Sequence, residues 1–137
     1  MLLRIVMASK IKEAEVKSLT DRYVKMASGF IPVEVTVDGG KRKGVPEKGL
    51  LVGMDPAGKQ FTSEEFAEWL EKKIETYGDI TFYIGEAEGL PADVRKGAKE
   101  FISLSGMTMA HRISLIVLAE QIYRALTIIN GHPYHKQ

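Results

Sequence analysis

The order of patterns along this chain predicts an α/β domain, a mostly parallel sheet flanked by helices. Three observations lead there. Short apolar runs alternate with longer stretches of helical periodicity, the arrangement that builds a parallel sheet through crossover connections. Two of the runs, Leu2 to Ala8 and Ile80 to Ile84, are nearly continuous, as strands covered on both faces require. The chain has 137 residues, 45% hydrophobic and 27% charged, which suits one domain (1–137) with a genuine core rather than a disordered segment.

The elements follow in order. Leu2 to Ala8, with a single Arg, is the first strand. Ile11 to Ala27 places Ile11, Ala14, Val16, Leu19, Tyr23, Val24 and Ala27 at roughly helical spacing. Ile31 to Val37 alternates with period two and reads as a strand with one partly exposed face. Asp38 to Lys48 is a Gly/Lys/Pro-rich loop, and Leu50 to Met54 a short apolar strand. A helix begins at Ser63, a plausible N-cap, with Glu64 and Glu65 in its first turn and Phe66, Trp69, Leu70 and Ile74 on one face. After the strand Ile80 to Ile84, Pro91 opens a short helix at a position that tolerates proline. Phe101 to Leu104 is the last strand. His111 to Asn130 is the last helix, apolar around most of its circumference, so it is either central to the core or covered by a partner.

Bulk properties exclude several classes. The absence of cysteine removes disulfides, zinc–thiolate sites and thiol catalysis. No uncharged run approaches the roughly 18 apolar residues of a membrane helix, and the N-terminus lacks an export signal's basic region and cleavage site. The expectation is a cytoplasmic protein without membrane or metal partners. Net charge is +1, but residues 1–60 hold 11 Lys/Arg against 7 Asp/Glu and residues 61–137 hold 8 against 11. Lys41, Arg42, Lys43 and Lys48 crowd one loop, a cluster that can meet phosphates or simply be solvated.

The terminal segment Gly131-His132-Pro133-Tyr134-His135-Lys136-Gln137 cannot extend the last helix, because Gly131 and Pro133 both break helical geometry. Two imidazoles, a phenol and an ammonium in five positions suit a polar site; a frayed, solvated end is the alternative. Ligands of open α/β sheets bind at the carboxyl ends of the strands. Three glycine-bearing segments fall there: Met54 to Gly58, Gly85 to Leu90, and Ser105 to Met109. None carries a dinucleotide fingerprint or a phosphate loop with its lysine, and none contains Lys or Arg.

Four motifs, in this order, make the chain resemble one family. They are Phe82-Tyr83-Ile84-Gly85-Glu86-Ala87-Glu88-Gly89-Leu90, Ser103-Leu104-Ser105-Gly106-Met107-Thr108-Met109-Ala110-His111, Glu120-Gln121-Ile122-Tyr123-Arg124-Ala125, and His132-Pro133-Tyr134-His135-Lys136. The chain is similar throughout, most strongly from residue 80 onward, to SPOUT-class methyltransferases of the RlmH type. These modify a pseudouridine of 23S, large-subunit ribosomal RNA at ring nitrogen three. The resemblance implies a SPOUT-type α/β fold with a C-terminal trefoil knot, S-adenosyl-L-methionine as cofactor, a homodimer, and ribosomal RNA as partner. It implies a cofactor pocket at Met54, Gly85, Leu104, Ser105, Gly106, Met107, Thr108 and Met109, with Met54, Leu104 and Met109 supplying apolar walls. On the catalytic side it implies Tyr134 and His135 as base-orienting and nucleobase contacts. Arg124 would be a phosphate or base anchor, unless it only pairs with Glu120 at i, i+4. His111 either caps backbone or lines the pocket.

Two positions depart from that pattern. Glu86 stands where relatives commonly have a second glycine, and the link between the second and third strands, about a dozen residues, lacks the helix that relatives place there. Two other readings therefore stand beside the first: a methyltransferase of the same class acting on another RNA, and an RNA- or cofactor-binding relative whose catalysis Glu86 has impaired.

Overall fold

The computed structural model describes residues 1–40, 42 and 45–136. Lys41 and Lys43 of the basic loop lie outside the described residues, as does Gln137 of the terminal segment. Nine elements alternate as expected: β1 (Leu2–Met7), α1 (Ala14–Ala27), β2 (Val33–Val37), β3 (Leu50–Gln60), α2 (Ser63–Tyr77), β4 (Asp79–Ile84), α3 (Ala92–Gly97), β5 (Glu100–Ser103) and α4 (His111–Ile129). The five strands pair in parallel in the order β2-β1-β4-β3-β5.

Strand alternation sorts the side chains into two unequal layers. Leu3, Ile5 and Met7 of β1 stand beside Ile80, Phe82 and Ile84 of β4, and Leu50, Val52 and Met54 of β3 extend the same rows. That face meets α1, α2 and α4 in the main core, with α4 packed against both other helices. The opposite face carries a small cluster, Val6, Tyr83 and Val94, covered by α3 and by Val45 of the crossover loop.

The greasy last helix is thereby explained within one chain. Leu115, Leu118, Ile122 and Leu126 are buried in the main core, so most of the apolar surface that suggested a partner is already covered. Ile116 is only half-buried, and Ile113 remains 43% exposed.

Two local expectations are corrected. Thr62, not Ser63, caps α2: its hydroxyl accepts from the Glu65 N–H at 3.1 Å and the Glu65 carboxylate accepts from the Thr62 N–H at 2.8 Å. The Ser63 hydroxyl instead donates to Gln121 of α4 at 2.8 Å. Second, β3 does not stop at Met54. Met54 and Lys59 both stand opposite Ile102 of β5, so Asp55 to Gly58 bulge out and pairing then resumes. The sequence shows why. Pro56 cannot donate to a ladder, Asp55 accepts from the Ala57 N–H at 2.9 Å, and a Cβ on Gly58 would lie 2.6 Å from the carbonyl carbon of Phe101.

The crossover from β2 to β3 spans β1 and β4, and its described residues form no helix. It is pinned by polar contacts. Tyr83 donates to Asp38 Oδ2 at 2.7 Å, and Arg42 donates to the same oxygen at 2.7 Å and to Asp93 of α3. Arg42 is thus occupied by two carboxylates rather than offered to phosphates, contrary to the basic-cluster expectation.

Candidate active site

The bulge of β3 and the segments leaving β4 and β5 converge on a cavity of about 560 Å³. Met54, Gly85, Leu104, Ser105, Met107, Thr108 and Met109 all line it. Gly106 is absent from the lining, and a Cβ there would make only an ordinary contact with Gln60 at 3.6 Å. Asp55, Pro56, Glu86, Glu88 and Arg112 also line the cavity. The Asp-Pro turn signalled Asp55; nothing in the sequence marked Arg112.

Each wall has a local cause. Gly85 is sterically required, because a Cβ would lie 2.5 Å from the Gly89 carbonyl oxygen. The turn closes on itself through the Gly89 N–H to the Glu86 oxygen at 2.8 Å. In the next segment the Ser103 hydroxyl donates to the Ser105 carbonyl at 2.8 Å, and the Ser105 hydroxyl accepts from the Met107 N–H at 2.9 Å. The Ser105 side chain thereby shapes the loop. His111, the first residue of α4, lines the cavity and makes no capping bond, since Ala110 occupies the N-cap position.

The electrostatics favour a cation. Asp55, Glu86 and Glu88 bring three carboxylates to the lining, and the Glu86 side chain is exposed at the rim. The Ala57 N–H and the Arg95 guanidinium hold the Asp55 carboxyl below the usual carboxylate range. Arg112, the cationic residue of the lining, pairs with Glu13 at 3.1 Å. Apolar walls, a glycine floor and a carboxylate rim fit a nucleoside that carries a sulfonium, and the size is within the usual range for small-molecule sites, roughly 300–1,000 Å³.

Arg124, Tyr134 and His135 also come together, but elsewhere. Gly131, at φ +70°, ends α4 and turns the tail back along the helix. Tyr134 donates to Glu120 Oε2 at 2.7 Å and packs edge-on against Tyr123, with ring centroids 4.6 Å apart. Burial and the Glu120 carboxylate push its phenol well above the ordinary value. Arg124 reaches Glu120 at 2.7 Å, lies 4.9 Å over the Tyr134 ring, and donates to His135 Nδ1 at 2.9 Å. His135 Nε2 faces Glu64 of α2 at 2.7 Å. The terminus is therefore an ordered, docked segment, and the Glu120 pairing foreseen for Arg124 is present together with the His135 contact.

None of these three residues lines the cavity. Ten residues of α4 separate Ser114, on the lining, from Arg124, about 15 Å at the helical rise. The terminal residues that the resemblance implies as nucleobase contacts and the cavity therefore lie apart within one chain, because α4 runs away from the strand tips. Among the described residues no group of three or more His, Asp or Glu is placed to hold a metal, and no helix is long and apolar enough to cross a membrane.

Comparison with known proteins agrees with this geometry. Residues 1–135 match the family described as "Predicted SPOUT methyltransferase". The chain is 37% identical over 143 residues to a ribosomal RNA large subunit methyltransferase H from Koribacter versatilis (strain Ellin345), covering 98% of each. It is 36% identical to the protein of that name from Coprothermobacter proteolyticus, covering 99% of this chain and 100% of the relative. A third, from Chromobacterium violaceum, is 44% identical over 93 residues, a match spanning 68% of this chain and 60% of that relative. A probable methylase family protein from Haemophilus influenzae Rd KW20 shares the fold at 14% identity with a TM-score of 0.67, covering 98% of this chain and 70% of its own. The chain belongs to the SPOUT methyltransferase family and is an S-adenosylmethionine-dependent RNA methyltransferase.

Proposed function

We propose that the protein methylates large-subunit ribosomal RNA, at ring nitrogen three of a pseudouridine, and works as a homodimer. One observation carries the reading: the strand-end segments 54–58, 85–90 and 104–109 converge on a single carboxylate-rimmed cavity. The relatives named above support ribosomal RNA as the target, and the motifs quoted earlier support the pseudouridine.

Backbone groups of Gly85 and of Leu104 to Met109 would hold the adenosine, between the apolar walls of Met54, Leu104 and Met109. S-adenosylmethionine, when bound, supplies an electrophilic methyl group on a sulfonium. Methyl transfer needs little covalent chemistry from the protein beyond positioning donor and acceptor and letting the proton displaced from ring nitrogen three pass to solvent water. Arg124 anchors the base or its phosphate, and Tyr134 orients the nucleobase. The His135 tautomer assigns its part. A guanidinium only donates, so Nδ1 accepts and the ring proton sits on Nε2. Once released from Glu64, that N–H can donate to a nucleobase carbonyl oxygen. In a dimer the terminus of one protomer would serve the cavity of its partner, which explains why the two halves of the site lie apart in one chain.

Mass spectrometry of ribosomal RNA from a deletion strain tests the target. The methylated pseudouridine should disappear and return on complementation; its persistence would move the assignment to another RNA. Calorimetry tests the cofactor, and an absence of S-adenosylmethionine binding at millimolar concentration would favour a non-enzymatic relative.

A further inference from the structure

We propose that Arg42 and Arg95 are positioning residues for the turn 85–90: acting through ion pairs with α3, they hold that turn in the shape the cavity requires. The inference rests on reading the cavity as the S-adenosylmethionine site.

The turn has little support of its own. Glu86 to Gly89 are exposed, and its internal tie is the Gly89–Glu86 backbone bond. Leu90 closes it from one side, packed where a Cβ on Gly53 would stand. The helix that follows, α3, has six residues and is too short to be stable alone. Its anchors are tertiary. Val94 is buried with Val6 and Tyr83, and the residues on either side of Val94 make ion pairs of opposite polarity. Asp93 receives Arg42 from the crossover loop, and Arg95 donates to Asp55 on the β3 bulge at 2.5 Å.

Arg42 ties both flanks of the turn. Its other carboxylate, Asp38, accepts from Tyr83, two residues before Gly85, while Asp93 stands three residues beyond Leu90. The backbone pays for this reach: Arg42 sits at φ +63°, a left-handed conformation costly for a residue with a side chain. Asp55 itself lines the cavity, so Arg95 ties α3, the helix that follows the turn, to the segment 54–58 through one bond. Among the described residues of the crossover, these ties, Val45 and the Asp38 N–H bond to the Met7 carbonyl fasten it to the sheet.

Asp93→Asn and Arg95→Gln test the proposal, since neither residue lines the cavity and Asp93 is 60% exposed. Each should weaken S-adenosylmethionine binding in calorimetry about five- to tenfold, as lost preorganisation does. The rise should appear in the KM for the cofactor, with kcat at saturation and the KM for RNA unchanged. Arg95→Lys should recover most of the affinity. In cofactor-free protein, backbone amides 85–90 should exchange faster in both variants. Unchanged exchange and affinities within about twofold of the unmodified protein would overturn the proposal. Failure of the unmodified protein to bind S-adenosylmethionine would overturn the reading of the cavity, leaving amide exchange to judge the ties.

Discussion

Arg124 donates to Nδ1 of His135 across 2.9 Å, eleven residues further along the chain. The same guanidinium is bidentate toward Glu120, at 2.7 and 3.4 Å, and caps the face of Tyr134. One side chain therefore sets the position of both terminal residues assigned to the nucleobase. The Glu120 carboxylate raises the Arg124 guanidinium further above its ordinary range, so the charge persists at every working pH.

Arg124→Ala should lower kcat about a hundredfold, because it removes an anchor and releases the terminus together. Arg124→Lys should recover little, since an ammonium cannot reproduce the planar fork. Single-turnover methylation of ribosomal RNA measures both. A kcat within threefold of the unmodified enzyme would exclude Arg124 from the reaction.

Gly85→Ala should abolish cofactor binding while leaving the fold. The added methyl group meets a backbone oxygen at 2.5 Å, and the exposed turn must open to admit it. Glu86→Gly, its neighbour, should change affinity less than about threefold, because an exposed carboxylate contributes little through a solvated rim. Calorimetry on the two variants distinguishes a steric requirement from a dispensable charge. A large gain in activity from Glu86→Gly would show that this glutamate impairs the enzyme.

Stability should fall in acid through the half-buried carboxylate of Glu100. Burial pushes Glu100 upward, but Lys73 at 2.7 Å and the Trp69 N–H at 2.8 Å outweigh it and hold the carboxyl below its ordinary value. For a group depressed in the folded state, the stabilisation is complete above the unfolded value, about 4.3 for Glu. It is lost as pH falls through the lower folded value. Calorimetric Tm should therefore show no pH dependence from Glu100 between about pH 6 and 8, where its contribution is complete, and a decline below about pH 4. Glu100→Gln should shrink that decline; an unaltered acid limb would show that the ion pair is not formed in solution.

Ile113 leaves 43% of its surface in solvent in the first turn of α4, and Met107 on the loop before that helix is 80% exposed. If copies pair across this face, Ile113→Asp should give a monomer that remains folded. Ile116→Asp, on a half-buried residue, should cost stability as well, by several kcal/mol where the charge is left unpaired. Light scattering and thermal unfolding separate these outcomes. A dimer unaffected by Ile113→Asp would place the interface elsewhere.

Local chemistry determined most of the architecture. Apolar runs, helical spacing and the glycine–proline stop after α4 are properties of short windows, so strands, helices and the three converging segments were legible residue by residue. Seven of the eight cofactor candidates that the resemblance implied line the cavity; the strand pattern by itself pointed only to the glycine-bearing segments that contain most of them. Tertiary structure alone decided what depends on partners far along the chain. Lys59 and Gln60 became strand only because β5 was there to pair with them, and α4 became a central helix only because α1 and α2 flank it. Arg42, which composition offered to phosphate, turned inward toward two carboxylates that no window of sequence contains together. The separation of the terminal Arg–Tyr–His group from the cavity has the same origin: a helix's direction is set by packing, whereas periodicity reports only which of its faces is buried.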